Sequence, residues 1–596
     1  MATAEKHGPL RILVIFETLP LPEGGGADHR LLQIIRLLRE QGYAVTFLAP
    51  RTSGNNTRSS VLKEMGVEVR LEDSEVLSLE GIDVVGKWTL QEVLREGQFD
   101  LAMISLWFWM GVNLPEHYLD EIRRMSPGTR IAILSDDYHG LRERGGAEIS
   151  GLWSDRERAI DFTERELDAY RQSDLVISIS DSDKKKIARE IVEVPVEVLP
   201  MMIETQPEAA QTTAISQKNT NTVILSEAKD SSFSSVDRRN HVTNDELAPT
   251  ISPGFEAREG IVYLGHFNNP PTLDGLEWYI REVAPLVRKQ LPDLKLYVVG
   301  AQLPENWSTP DPNVVRIGFK PDLAAEFAKY RMLVSPVRFG TGIKTKNLHA
   351  IAHGLPIVTN TKGADGANFV SGETALIADD PQAFAAAVVK LFTDSKLWKK
   401  LSRNSRAHAE KYFSKAAMDA ALRAILDRAR ALKPPPYDPS HVWSMRLVEK
   451  MFVEVAAYQP ARDRHAIRVL AYSRAAEELL AQGNRAEARR QLRHAFNYFS
   501  HTVSRSIFFG SMAGVAEAME RTYRALGDVK GAEEFRREAR QYSAAVFAES
   551  ATPPARSAEL STAPKGVPRL STTRDADFNS TSDSSNRDLI AERADA

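Results

Sequence analysis

The chain of 596 residues contains no cysteine. This absence excludes disulfides, thiolate nucleophiles, cysteine-ligated zinc and iron–sulfur clusters, and it fits a cytoplasmic setting. Long apolar runs are also missing, because no stretch approaches the roughly 18 residues of a membrane-spanning helix. The first apolar run, Ile12–Phe16, is too short for the core of a signal peptide. We therefore expect no transmembrane segment and a cytoplasmic protein, with peripheral contact at the inner face of the membrane left open.

The chain also lacks an excess of either positive or negative charge. Lys and Arg total 76 against 80 Asp and Glu, for a net charge of -4. So small a net charge argues against general binding of nucleic acid or anionic membranes. Hydrophobic residues make up 43% of the chain, which is ordinary for a globular protein with a substantial core.

Short apolar runs alternate with amphipathic helical patterns in two successive regions, which is typical of parallel α/β domains. In the first domain, 8–204, the predicted strands are 11–16, 43–50, 100–105, 130–135, 174–180 and 196–201. In the second domain, 257–432, they are 260–265, 295–300, 314–318, 332–337 and 356–360. The pattern predicts two Rossmann-like doubly wound domains in series. Such a pair encloses a cleft, where ligands commonly bind.

Three further regions complete the organisation. Residues 205–256, rich in Ser, Thr, Asn and Gln, are predicted to be a disordered insertion. Residues 441–549 read as an all-α domain of helical hairpins, with turns at Gly483 and Gly527. The hairpins are similar to tetratricopeptide repeats, although a plain helical bundle is equally compatible with their spacing. The polar tail 550–596 is predicted to be disordered.

The segment PVRFGTGIKTKNLHAIAHGLP, 336–356, carries the sharpest functional signal. A strand leads into a loop with two glycines, and a helix opens near Ile343 or Lys344. Backbone N–H groups at a helix N-terminus, together with Lys344 and Lys346, suit a diphosphate. The alternative is a tight turn with solvated lysines.

This segment resembles the donor-binding motif of retaining GT-B glycosyltransferases of family 4, in the subgroup that carries G-T-G-I-K. Stretches 11–50 and 261–300 resemble the openings of that family's two domains. The resemblance implies a GT-B fold, a nucleotide-sugar donor with no other cofactor, no metal, and a glycan or lipid-linked acceptor. The residues it implies for the donor are Gly340, Thr341, Gly342, Ile343, Lys344, Lys346, His349, His266 and Asn268.

Two departures from that family concern the donor site. The family usually has two glutamates eight positions apart, where this chain has Thr341 and His349; the second glutamate is implied to hold the ribose. Its usual Arg and Lys after the first strand of the second domain are replaced by His266 and Asn268. We predict that a neutral His349 binds the ribose; the alternative is a tolerated replacement. Zinc binding by His349 and His353 would need a third ligand.

The first domain supplies the acceptor-side candidates. Asp137 and His139, with Arg142, follow a strand end and resemble the subgroup's D-x-H-x-x-R segment, so Asp137 and His139 are candidate catalytic residues. Gly24, Gly25, Gly26 and Arg30 open the first helix and could face the cleft. Trp107 and Trp109 could form an acceptor platform. The alternatives are a surface loop with an internal ion pair at 134–146, a flexible loop at the glycines, and a packed core corner at the tryptophans.

The triplet Asp181-Ser182-Asp183 matches the D-x-D metal motif of the other glycosyltransferase fold, but helix N-capping explains it better. The resemblance thus implies a metal-independent, retaining glycosyltransferase. One alternative is a degenerate GT-B module that binds a protein partner through residues 441–549. A second alternative is a sugar-nucleotide epimerase with a GT-B fold.

Overall fold

The computed structural model describes residues 10–21, 26–49, 58–71, 88–106, 108–109, 112–203, 254–436, 450–451, 464–503, 512–537 and 540. Gly24, Gly25, Trp107, nearly all of the predicted insertion 205–256 and the tail 550–596 lie outside the described residues.

The first domain is built on a parallel sheet of seven strands with a small antiparallel pair beside it. Its strands are β1 Arg11–Ile15, β2 Ala44–Ala49, β3 Glu68–Leu71, β4 Leu101–Ser105, β5 Phe108–Trp109, β6 Val112–Asn113, β7 Arg130–Ser135, β8 Leu175–Ser178 and β9 Val196–Val198. Its helices are α1 Gly26–Glu40, α2 Arg58–Glu64, α3 Leu90–Gly97, α4 Leu114–Met125, α5 His139–Ser150, α6 Trp153–Gln172 and α7 Asp181–Glu190. The order β3-β2-β1-β4-β7-β8-β9 is doubly wound.

The second domain repeats this architecture with six parallel strands. They are β10 Ile261–His266, β11 Leu296–Ala301, β12 Val314–Gly318, β13 Met332–Ser335, β14 Ile357–Thr359 and β15 Leu376–Ile377, in the order β12-β11-β10-β13-β14-β15. Its helices are α8 Pro270–Trp278, α9 Ala284–Arg288, α10 Leu323–Phe327, α11 Thr345–Ala352, α12 Thr361–Ala364, α13 Pro381–Thr393, α14 Ser395–Phe413 and α15 Lys415–Ala431. A 3-10 turn at Phe255–Ala257 precedes β10, and a π-helical turn at Tyr279–Val283 joins α8 to α9. The predicted fold class, two Rossmann-like domains of GT-B type, is confirmed.

The continuous apolar runs are explained by burial on both faces of each sheet. In β1, Ile12 and Val14 join one apolar cluster, while Leu13 and Ile15 join the other. Because successive side chains of a strand point to opposite faces, both faces of the sheet are covered. Helix α15 lies in the first of these clusters through Met418 and Leu422. The first core thus includes a segment that the sequence-based boundary at 432 assigns to the second domain.

The C-terminal region is helical, as predicted. Its described helices are α16 Arg464–Ala481, α17 Arg485–Val503 and α18 Met512–Ala525. Gly483, at φ +81°, ends the first of them in a left-handed conformation that glycine adopts without a steric penalty. Asn484 then caps α17 by accepting a hydrogen bond from the Glu487 N–H at 3.2 Å. The relation to tetratricopeptide repeats stays a prediction.

Candidate functional site

The glycine loop lies at a topological switch point. Strand β10 is flanked by β11 on one side and β13 on the other, so the connections on its two sides run in opposite directions and leave a crevice at the carboxyl ends. The loop 336–344 leaves β13 at this crevice and enters α11. The sequence predicted the loop between a strand and a helix, and the strand order places it where α/β domains bind their ligands.

Two residues of the second domain hold this loop in place. Arg338 forms a two-pronged ion pair with Asp274 of α8, with Nε 2.8 Å from the carboxylate. The Asn360 side chain accepts from the Val337 N–H at 3.1 Å and donates to the Val337 carbonyl at 2.7 Å. Gly340 and Gly342 have φ values of +119° and +70°, which side chains with a Cβ rarely adopt. The loop therefore presents a fixed backbone at the crevice.

Lys344 belongs structurally to the loop itself. Its Nζ donates to the carbonyls of Thr341 and Gly342, at 2.9 and 2.7 Å. Burial lowers the pKa of Lys344, while the carboxylates of Asp137, Asp365 and Asp183 oppose that shift. The ammonium group thus closes the loop and stands among acidic groups of both domains.

Lys346 is in a different situation. Its Nζ lies 4.7 Å from the centre of the Tyr263 ring. Among the residues that the structure describes, no carboxylate offsets the effect of burial on the pKa of Lys346. Burial lowers the pKa of Lys346 to about 7, and the charge of Lys344 adds to the effect. A desolvated cation on the first turn of a helix is suited to an anionic ligand.

His349 follows on the same helix, four residues after Thr345. Burial, and then the neighbouring charges of His353 and His29, lower the pKa of His349 to about 4. The imidazole is therefore neutral at pH 7, with one ring nitrogen to donate and one to accept a hydrogen bond. His353 is not equivalent, since it ends α11 and its ring lies 5.8 Å from that of Phe327.

The loop meets the first domain through Asp137. The Thr341 hydroxyl donates to the Asp137 carboxylate and lies 3.1 Å from the Tyr138 carbonyl oxygen. Arg142 donates to the other oxygen of Asp137 at 2.6 Å. Burial would raise the pKa of Asp137, but Arg142, His139 and Thr341 hold it below the usual range. The structure thus places an ionised carboxylate opposite the glycine loop.

His139 lies deeper in the first domain than Asp137. It is 4% exposed, and its Nδ1 is 3.8 Å from Glu166 of α6. Glu166, fully buried, also accepts hydrogen bonds from the N–H groups of His139 and Gly140, at 3.2 and 2.7 Å. Asp137 thus contacts the second domain through Thr341, whereas the backbone N–H of His139 bonds Glu166 of α6.

The remaining predicted residues fall into several groups. Arg30 is buried and paired with Asp136 and the Leu199 carbonyl, so its charge is used inside the first domain. Gly26 begins α1, and a Cβ there would lie 3.5 Å from Thr345. His266 and Asn268 are exposed at the carboxyl end of β10, and Ile343 is buried. Trp109 lies in β5, and nothing is described of its side chain.

Sequence reasoning missed a cross-domain cluster and Glu166. Asp365, just after α12, accepts from Ser182 at 2.5 Å and pairs with Lys186 of α7. Asp183 lies beside this pair, 2% exposed, and burial raises its pKa to about 6. In the D-x-D triplet, the capping interpretation needs one correction: Ser180 caps α7, accepting from the Asp183 N–H. No sequence pattern signals these contacts, because their partners are distant in the chain.

Two absences hold for the described residues. No three His, Cys, Asp or Glu side chains in them stand together as metal ligands. No helix in the described segments is both long and apolar enough to cross a membrane.

The second domain matches a known family. Residues 258–394 match the family described as Glycosyl transferases group 1. The match covers the strands and loops that form the crevice, and it supports a glycosyltransferase with a GT-B fold. It covers most of the second domain, up to the end of α13, and none of the first.

Individual proteins are similar over limited regions. A protein of Klebsiella pneumoniae, named as a 44.6 kDa protein in the cps region, is 30% identical over 139 residues, or 22% of this chain and 36% of its own length. YtcC of Bacillus subtilis (strain 168), which carries a provisional name as a glycosyltransferase, is 27% identical over 115 residues, or 18% of this chain and 28% of its own. The chain thus spans about a third of the length of the curated relatives it matches. A crystal structure of Anabaena HepE with UDP and glucose aligns over 71% of this chain and 100% of its own, with 13% identity and a TM-score of 0.44.

Proposed function

We propose that the protein is a glycosyltransferase that moves a sugar from a nucleotide-sugar donor to a glycan or lipid-linked acceptor, with retention and without a metal ion. The observation that carries the proposal is Lys346, a desolvated cation at the start of α11. It borders a fixed glycine loop, in the domain that matches the glycosyl transferases group 1 family. Lys346 has no carboxylate partner among the described residues, and the diphosphate of a donor would supply the counter-charge.

The chemistry follows from this placement. The departure of a nucleoside diphosphate develops negative charge, which Lys346, the N–H groups of the first turn of α11 and the helix dipole would stabilise. Lys344 would act by shaping the loop through its bonds to the Thr341 and Gly342 carbonyls. The family's usual acidic residue at the ribose would be replaced by His349, whose neutral imidazole can bond a hydroxyl.

The acceptor would approach from the first domain, where Asp137 faces the loop. An ionised carboxylate there can stabilise positive charge that develops on the donor sugar, or orient the acceptor hydroxyl. The acceptor itself is proposed only as a class, a glycan or a lipid-linked glycan.

The test is nucleotide binding by isothermal titration calorimetry, with UDP and GDP as probes, followed by turnover with their sugars. K346A should weaken binding by on the order of 10-fold or more, since it removes a charge-assisted contact. K399A, which removes an exposed lysine of α14, is the matched control and should change nothing. The proposal fails if the wild-type chain binds neither nucleotide nor their sugars, and the non-catalytic alternative would then gain support.

A further inference from the structure

Helix α6 has one face directed to residues 135–142, the candidate catalytic segment that carries Asp137 and His139. Ala159, Thr163, Glu166 and Tyr170 share this face, at helical spacing. Glu166 accepts from the N–H groups of His139 and Gly140, and the Tyr170 hydroxyl donates to Glu166 at 2.7 Å. A Cβ on Gly140 would lie 2.6 Å from the Thr163 Cα. Helix α5 therefore begins in direct backbone contact with α6.

The other face of α6 receives the helical domain. Each residue of this second face stands two positions before a residue of the first face, which places it about 200° around the helix. The residues of the second face are Glu157, Asp161, Glu164 and Asp168. Arg493 of α17 donates to Glu157 and Glu164, at 3.1 and 2.8 Å. His494 pairs with Asp161, and the Asn497 amide donates to Asp161 at 2.7 Å.

This contact is specific because it buries a charge. Asp161 is fully buried. Burial would raise the pKa of Asp161, but His494 and Arg165 hold it well below the usual range. A buried carboxylate that lost these partners would be strongly unfavourable, so the contact fixes one docked position. Trp153, at the start of α6, adds edge-on contacts with Phe496 and Tyr523, with ring centres 5.2 and 5.9 Å apart.

We propose that α6 couples the helical domain to the catalytic segment, with Glu166 as a positioning residue for Asp137 and His139. The helical domain clamps one face of α6, and the other face holds the first turn of α5 through Glu166. Any shift of α6 must then move the backbone that carries Asp137. The effect on turnover rests on the proposed function, whereas the coupling itself can be measured without it.

The first experiment replaces Glu166. In E166Q, an amide N–H₂ group replaces one of the oxygens that face backbone N–H donors. Hydrogen exchange of peptides covering 135–142 should become at least about tenfold faster. Turnover should fall on the order of 10²-fold, while UDP affinity stays within about twofold, because its proposed ligands lie in the other domain. E148Q, an exposed glutamate of α5, is the control. Wild-type exchange and turnover in a folded E166Q protein would overturn the positioning role.

The second experiment loosens the helical domain in the full chain. R493E places a carboxylate against Glu157 and Glu164, and H494A removes a partner of Asp161 in a milder way. Both should speed exchange over 135–142 and lower turnover, with UDP affinity unchanged. R524A is the control, because Arg524 pairs with Glu520 inside the helical domain.

The outcomes separate the two proposals. If both variants keep wild-type exchange over 135–142, the coupling is overturned. If exchange responds but the wild-type chain neither binds nor turns over a nucleotide sugar, the coupling stands and the proposed function fails.

Discussion

The hydroxyl of Thr341, in the glycine loop of the second domain, donates a hydrogen bond to the carboxylate of Asp137 in the first. The two residues are separated by 204 positions in the chain. Their contact joins the proposed donor loop of the second domain to the proposed acceptor side in the first. Gly342 strengthens this fit, since a Cβ there would lie 3.4 Å from the Asp136 carbonyl oxygen.

The first prediction concerns this contact. T341V keeps the shape of the side chain and removes the hydroxyl, so the pKa of Asp137 should rise because one of its stabilising hydrogen bonds is lost. Steady-state turnover should fall about tenfold, and its acidic limb should move to higher pH. D137N should lose on the order of 10²-fold or more. T393V, on the exposed end of α13, is the control. Unchanged turnover in T341V would contradict a catalytic role for the hydrogen bond between Thr341 and Asp137.

The second prediction is a pH dependence set by Lys346. Since burial lowers its pKa to about 7 from 10.5, the side chain is mostly charged at pH 6 and mostly neutral at pH 8.5. UDP affinity should therefore fall over this range, by up to about 30-fold. K346R should remove the lysine's share of the change, because arginine stays charged. Calorimetry of wild type and K346R over the same pH range isolates the contribution of Lys346, because the ionisation of UDP affects both proteins equally. Parallel pH profiles for the two proteins would exclude Lys346 as a phosphate ligand.

The third prediction concerns His349 and the ribose. A hydrogen bond from a neutral imidazole to a hydroxyl contributes about 1 kcal/mol, so H349A should weaken UDP binding about fivefold. The same substitution should have little effect on binding of the deoxyribose analogue that lacks the bonded hydroxyl. H349E should restore binding, because the carboxylate also accepts from a hydroxyl. Equal losses for UDP and for both deoxy analogues would indicate that His349 has only a packing role.

The fourth prediction concerns Asp183 and stability. Its pKa in the folded protein is raised to about 6 from 3.8, so the folded state binds more protons than the unfolded state between these values. Stability from this group is therefore fully present below pH 3.8 and is lost as pH rises through 6. D183N should raise the free energy of unfolding at pH 7.5 by up to about 3 kcal/mol, with little effect near pH 4.

Denaturant unfolding at the two pH values measures this effect. D181N is the matched control, at the exposed first position of the same helix. A D183N protein that is less stable than wild type at pH 7.5 would show that the pair with Lys186 outweighs the burial of Asp183.

Much of the fold could be predicted from the chain alone. Strand β7 was predicted over 130–135 and found over Arg130–Ser135, since a short apolar run bounded by polar residues has few alternatives. Strand β3 and the two-residue β15 were missed. Glu68–Leu71 lies at the edge of its sheet and is not a continuous apolar run like the strands that were predicted, and β15 is too short for a pattern. The position of the glycine loop was also predictable, because Gly340 and Gly342 mark a turn at a strand end.

The sequence by itself determined the two α/β domains, the helical C-terminal region and a loop suited to a diphosphate, since these depend on local periodicity and on glycine. Tertiary structure alone decided which charges are used and which are left for a ligand. In the folded chain, Lys344 donates hydrogen bonds to carbonyls of its own loop, and Arg30 is buried in an ion pair with Asp136. Lys346 packs on Tyr263 and has no carboxylate partner among the described residues. Tertiary structure also brought Glu166 against the backbone of the candidate catalytic segment, and Asp137 against Thr341. Long-range contacts of this kind depend on how sheets and helices pack, which no local pattern encodes.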